Sequence, residues 1–226
     1  MSGGKVSGFL SRLAPRRPAD AESEPPAGGV DRDPVVSTKA LKKFIASLRS
    51  QSSPVLLDLG PVVGSNIAFF GEQLGCKIFV EDIFADLDRF QRGDKLAELP
   101  AFLEKRFPQA DASVDGILCW DLFDFLDKPG AHAVATQLMR LLNVNGALFG
   151  FFSTAHPRES RFTKFVVVDE NNLRHRPYSS ARMRQAVLQN RDIIRLFDRL
   201  RVSDSFLLHS NVREILFRKP AYLATP

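Results

Sequence analysis

The stretch from Val55 to Asn66 (VLLDLGPVVGSN) constrains this chain more than any other. A short apolar run enters an Asp-x-Gly turn, and the turn opens into a helical pattern at Ser65 or Asn66, with Ile67, Phe69, Phe70 and Leu74 as its apolar positions. Gly75 is a natural helix stop. Lys77 to Val80 is then a second strand, followed by Glu81 and Asp82. The apolar period thus changes from strand to helix and back, which makes a βαβ unit. In an open α/β sheet such a turn lies at the carboxyl ends of the strands, where ligands bind.

The rest of the chain repeats this alternation. Ser37 or Thr38 can cap a helix carrying Leu41, Phe44, Ile45 and Leu48 on one face. Leu96 to Phe107 is apolar at helical spacing but holds Pro100, and no strand is legible between Gly93 and Asp115. Val114 to Trp120 reads as a buried strand, Val134 to Leu142 as an amphipathic helix, Asn143 to Gly146 as a turn and Ala147 to Phe152 as another buried strand. Phe165–Val168 and Leu173–Pro177 flank a polar tip as a hairpin. A long helix is expected from Ser179 or Ser180 to about Leu200, and Ser205–Leu208 with Val212–Phe217 forms a closing hairpin. Strands alternating with helices, then an antiparallel hairpin, predict an α/β sandwich of three layers around a mostly parallel sheet.

Composition sets limits on function. Residues 1–36 are rich in Pro, Gly, Ala and charge and bury too little apolar surface to order, so they read as a tail. Within it, Lys5 to Leu13 is a weak basic amphipathic stretch that could touch a membrane surface or a partner. The domain proper is expected over 37–220, with a hairpin insertion at about 162–178 and a short tail over 221–226. The net charge of +5 concentrates late: fourteen Lys and Arg face seven Asp and Glu between Arg158 and Lys219. These arginines are scattered through amphipathic elements without a nucleic-acid motif, which disfavours nucleic acid as a partner. Two cysteines, Cys76 and Cys119, fit a reducing, cytoplasmic setting rather than a disulfide scaffold. No spaced Cys/His set suggests a metal, and no apolar run is long enough to span a bilayer.

The motifs narrow the ligand. A phosphate-binding GxxxxGK[ST] loop is absent, as are a GxGxxG fingerprint and a GxSxG elbow. Asp58 and the pair Glu81/Asp82 would instead place carboxylates near a ligand that carries hydroxyls and positive charge. DLGPVVG (Asp58 to Gly64) resembles the first motif of class I S-adenosylmethionine-dependent methyltransferases, Asp-x-Gly-x-Gly-x-Gly, with Val62 at its middle glycine. FVEDIF (Phe79 to Phe84) is similar to that family's second motif, VDGILCWDLFDFL (Val114 to Leu126) to its fourth-strand motif, and NVNGALFGFF (Asn143 to Phe152) to its fifth strand. FLLHSNVREILFRKP (Phe206 to Pro220) is similar to its last two strands.

The resemblance implies a Rossmann-like sheet of seven strands and S-adenosylmethionine as cofactor. It implies that Asp58, Gly60 and Gly64 line the methionine and ribose end, with Pro61 and Asn66 of the same turn in the binding set. Asp82 would hold the ribose hydroxyls, with Glu81 as the register alternative, Ile83 against the adenine and Trp120 near the methionine end or the acceptor. Asp121 is the first candidate for a general base, and His156, Arg176 and Tyr178 are candidate substrate contacts. The methyl acceptor is expected to be a small molecule, a lipid-like molecule or a protein side chain. Val62 and the absent third strand keep open a non-catalytic binding or scaffolding domain of the same shape. A nicotinamide-dependent oxidoreductase is the weaker alternative, opposed by the two-glycine turn and the final hairpin.

Overall fold

A computed structural model of the chain describes residues 33–83, 86, 89–90, 93, 95–155, 163–177, 187–208 and 210–221. In chain order the elements are β1 (Val35–Ser37), α1 (Leu41–Arg49), β2 (Val55–Asp58), α2 (Gly64–Ile67, widening into a π-turn over Ala68–Gln73) and β3 (Lys77–Val80). Then come α3 (Leu99–Arg106), β4 (Val114–Trp120), α4 (Lys128–Leu141), β5 (Leu142–Ser153), β6 (Thr163–Asp169), β7 (Asn172–Pro177), α5 (Asn190–Leu196), β8 (Arg201–Leu207) and β9 (Val212–Arg218). Six strands form the main sheet in the order β3-β2-β4-β5-β9-β8, and β1-β7-β6 form a small sheet of their own. Neighbours from β3 to β5 are parallel. Only β9 runs backwards, between β5 and β8.

Side-chain alternation along the central strands sorts the core into two layers. Leu57, Ile117, Leu148, Ile215 and Phe217 point to one face, where α3, α4 and α5 supply Leu103, Val134, Leu138 and Ile193. Leu56, Leu118, Phe149 and Leu216 point to the other, which α1 and the small sheet cover through Phe44, Leu48, Phe165 and Leu173. Burial on both faces explains why these strands read as continuous apolar runs. Gly116 in the middle of β4 lets α1 lie directly on the sheet. A Cβ there would sit 2.7 Å from Leu48 and 2.9 Å from Phe44.

Polar anchors hold the amino end of the sheet. The Asp115 carboxylate accepts hydrogen bonds from the Val55 amide at 2.9 Å and from Asn143 Nδ2 at 3.1 Å, so β4 grips both neighbours. Arg140 donates to the Phe107 and Gln109 carbonyls, each at 3.0 Å, and fastens the loop before β4 to α4. The Lys219 ammonium donates to the last carbonyls of α4, Met139 at 2.9 Å, and to Leu142 at 2.7 Å, where a cation suits the helix dipole.

Several expectations need correction. The main sheet has six strands, not seven: among the described residues no strand lies between β3 and β4, and that span holds α3 instead. Pro100 does not interrupt α3, because it falls in the first turn, where a missing N–H costs nothing. The helix expected from Val134 starts earlier, at Lys128, where Asp127 caps it by accepting from the Gly130 amide at 2.9 Å. Asn143–Gly146 is a bulge within β5, with Asn145 at φ 63°, and the register against β4 shifts across it. Of the helix expected from Ser179 or Ser180 to about Leu200, residues 178–186 lie outside the described residues, 187–189 are not helical, and α5 covers Asn190–Leu196. Strand β1 lies partly inside the stretch that composition assigns to the tail, and it pairs with β7. The expected contact stretch Lys5–Leu13 lies outside the described residues, as do His156 and Tyr178.

Candidate functional site

The carboxyl ends of β2, β3 and β4 meet around Asp58. Its side chain is 4% exposed, and Oδ1 accepts two hydrogen bonds, from the Gly60 amide at 2.9 Å and from Trp120 Nε1 at 2.6 Å. Burial pushes the Asp58 carboxyl up to about 6 from 3.8, against the pull of these two donors. The neighbouring Cys119 thiol is raised well above its ordinary value, first by burial and then by the Asp58 charge, which keeps it protonated. The turn after Asp58 is tight on its inner side. Pro61 is buried, whereas Val62 is 65% exposed, so the β-branched side chain at the motif's middle position turns away from the turn. A Cβ on Gly64 would meet nothing within 4 Å.

Gly60 has a different neighbour. A Cβ there would lie 2.7 Å from Trp120 Cδ1 and 2.8 Å from Nε1, so the indole edge is pressed against the glycine. Trp120 ends β4 at a register shift and adopts φ 49°, a left-handed conformation rare for a bulky residue. Its ring stacks on Phe165 of β6, with centroids 5.2 Å apart and planes at 7°. Phe151 lies against the same Phe165 at 5.0 Å, and His175 meets Phe165 edge-on at 4.9 Å. Burial pushes the His175 imidazole below its ordinary range, which favours the neutral ring.

The other candidates are distributed unevenly. Asn66 is buried, and its amide is used structurally: Nδ2 donates to the Phe165 carbonyl and Oδ1 accepts from the Val167 amide, both at 2.8 Å. It therefore ties α2 to β6 rather than starting the helix. Glu81 forms an ion pair with Arg106 of α3. Asp82 follows it on the exposed surface, and Ile83 is wholly buried in the core under the helical face. Asp121 directly follows Trp120 and is 2% exposed. Asp124, one turn later, accepts from the amide and hydroxyl of Ser153 and so fastens the end of β5. Arg176 sits on β7, with Nε 3.2 Å from Asp33. The structure thus brings Asp58, Gly60, Pro61 and Trp120 together, with Glu81 and Asp82 at the end of the adjacent strand.

The main sheet is parallel from β3 to β5 and closes on the antiparallel β8–β9 hairpin, in which β9 is the reversed strand. The sheet order β3-β2-β4-β5-β9-β8 is that of a Rossmann-like α/β sandwich. No protein-family model matches the sequence, and no curated protein does. Solved structures that match include 1,6-didemethyltoxoflavin-N1-methyltransferase from Burkholderia thailandensis, crystallised with 1,6-didemethyltoxoflavin and S-adenosylhomocysteine. It is 18% identical over 80% of this chain and 78% of that one, with a TM-score of 0.44. A SAM-dependent methyltransferase from Aquifex aeolicus matches at 12% identity over 79% and 89%, with a TM-score of 0.46. The PH0226 protein from Pyrococcus horikoshii OT3 matches at 14% identity over 80% and 88%, with a TM-score of 0.49.

Two residues of this site were not expected from the sequence. Phe165 was read only as part of a hairpin, although its alternation with Val167 marks the inward face of β6. Arg106 carries no signal at all, since its partner Glu81 lies in another element. Among the described residues no group of three His, Cys, Asp or Glu could hold a metal ion.

Proposed function

We propose that this chain binds S-adenosylmethionine across the carboxyl ends of β2, β3 and β4 and transfers its methyl group to an acceptor. The observation that carries this reading is the buried Asp58 carboxylate beside Gly60, at a strand-to-helix turn of a Rossmann-like sheet. The donor set suits the group. Asp58 accepts from N–H donors and is suited to the amino end of the cofactor, and carboxylates at Glu81 and Asp82 suit ribose hydroxyls. Asp82, exposed at the end of β3, is the proposed hydroxyl acceptor, with Glu81, which pairs with Arg106, as the alternative. The space beside Gly60 is filled by the Trp120 indole, which therefore has to give way.

The bound cofactor supplies a methyl group on a sulfonium, whose C–S bond breaks as the acceptor's lone pair forms the new bond and a neutral thioether leaves. The chain's share is positioning. Holding both reactants in line can lower the barrier by ~7–11 kcal/mol. Asp121 is the residue proposed to take a proton from an acceptor that must lose one. Arg176, and His156 and Tyr178 outside the described residues, are the proposed contacts to a small-molecule, lipid-like or protein acceptor.

A second reading, a binding domain without turnover, is favoured by one observation: the chain's own indole occupies Asp58 and Gly60. Calorimetric titration with S-adenosylmethionine and S-adenosylhomocysteine separates the readings at the binding step. The wild type is expected to bind both, and Asp82→Ala to bind about tenfold more weakly, as for a lost charge-assisted hydrogen bond. Wild type that binds neither at millimolar ligand contradicts the enzyme reading. Binding untouched by Asp82→Ala moves the ribose site elsewhere.

A further inference from the structure

We propose that Trp120 is an internal plug of the cofactor site, and that its displacement is coupled to release of the β6–β7 hairpin. The proposal rests on the cofactor reading above. Three contacts hold the indole in place: its N–H donates to Asp58, its edge abuts Gly60, and its face stacks on Phe165. A ligand group that reaches the Asp58 carboxylate competes for the same acceptor and the same space.

The coupling follows from how the contacts close on themselves. Phe165, on which the indole rests, offers its carbonyl to Asn66, and Asn66 also takes the amide of Val167. Asn66 stands on α2, the helix that the Asp58–Gly60 turn leads into. Turn, indole, β6 and α2 therefore form a ring of contacts, so moving the indole removes support from β6. The plug is also under tension. Trp120 keeps φ 49° at the shifted end of β4, a backbone state unfavourable for a bulky residue that persists only while its surroundings enforce it. The Asp58 bond and the Phe165 stack are the enforcing contacts, and losing them lets the backbone relax.

Trp120 is the chain's single tryptophan, so its emission reports on the plug directly. Full-length protein is titrated with S-adenosylhomocysteine, and tryptophan emission and calorimetry are followed in parallel. The emission is expected to shift to the red as the indole leaves its buried stack, saturating at the calorimetric dissociation constant. Two variants keep the core filled. Trp120→Phe removes the N–H but keeps a ring, and Phe165→Leu removes the stack but keeps the tryptophan. Both are expected to bind S-adenosylhomocysteine more tightly, Trp120→Phe by about tenfold, the scale of one hydrogen bond to a charged group. Calorimetric saturation with unchanged emission and no gain in either variant overturns the plug and leaves the cofactor reading standing. Absence of binding in the wild type alone, with binding in the variants, contradicts turnover by the resting chain and supports a plug that is closed at rest. Absence of binding in all three overturns the cofactor reading and the plug with it.

Discussion

At the scale of single residues, two buried carboxylates do different work. Glu214 in β9 is fully buried, and Oε2 accepts from the Lys39 and Ala40 amides at 2.8 and 3.0 Å, which supplies acceptors to the amino end of α1. Thr38 adds a weaker cap to the Leu41 amide at 3.3 Å. Glu214→Ala leaves the buried Ala40 amide and the part-buried Lys39 amide without this acceptor, so urea denaturation is expected to show a loss of about 2–3 kcal/mol. Glu214→Gln, which keeps an acceptor oxygen, is expected to lose less than half as much. A loss below 0.5 kcal/mol for Glu214→Ala would contradict the cap, since surface changes stay within about that range.

Asp58 governs a pH dependence instead. Its folded-state value, about 6, lies above its ordinary 3.8, so the native state binds the extra proton between those values. Its contribution to stability is therefore fully present below about pH 3.8, declines as pH rises through about 6 and stays lost above. Asp58→Asn keeps an oxygen for Gly60 and Trp120 but cannot titrate. The stability difference between variant and wild type is expected to move in the variant's favour by up to ~3 kcal/mol between pH 4 and pH 7. A difference that is flat with pH would place the Asp58 carboxyl in its ordinary range.

At the scale of elements, the strands and helices of the sandwich were largely legible, because each carries its own periodicity. Leu41, Phe44, Ile45 and Leu48 read as one helical face, and all four are fully buried in α1. The strands β2, β3 and β4 begin where their apolar runs begin. What escaped was decided by partners far along the chain. Asn66 reads as a helix starter by composition, yet its partners lie 99 and 101 residues away in β6. Glu214 reads as one charge in a basic stretch, yet it serves a helix end 174 residues earlier. Local pattern cannot announce such pairings. They are testable in place: Asn66→Ala removes both bonds and is expected to cost about 2 kcal/mol and to speed exchange of the Val167 amide. Unchanged exchange at Val167 would show that β6 is held by other contacts. At the sheet centre, Gly116→Val would push Leu48 and Phe44 of α1 outward, with an expected cost of about 3 kcal/mol by thermal or urea unfolding.

At the scale of the whole molecule, the sheet order puts the Asp58 turn at the carboxyl ends of parallel strands, with β3 at one edge of the sheet. The strand-to-helix turn within DLGPVVG was legible, because an Asp-x-Gly after an apolar run is a local feature of such junctions. Its departure from the family pattern is milder than the letters suggest, since Val62 faces solvent. The left-handed backbone of Trp120 is encoded by no local sequence pattern. No helix among the described residues is long and apolar enough to cross a membrane. The proposed function requires that S-adenosylhomocysteine, the product left by the cofactor, binds at the ends of β2, β3 and β4. Hydrogen exchange of the full-length chain with and without S-adenosylhomocysteine tests it most directly. Slowed exchange confined to the amides around Gly60 and Asp82, with faster exchange in β6, is the result this account predicts. Unchanged exchange at Gly60 and Asp82 under saturating ligand would contradict it.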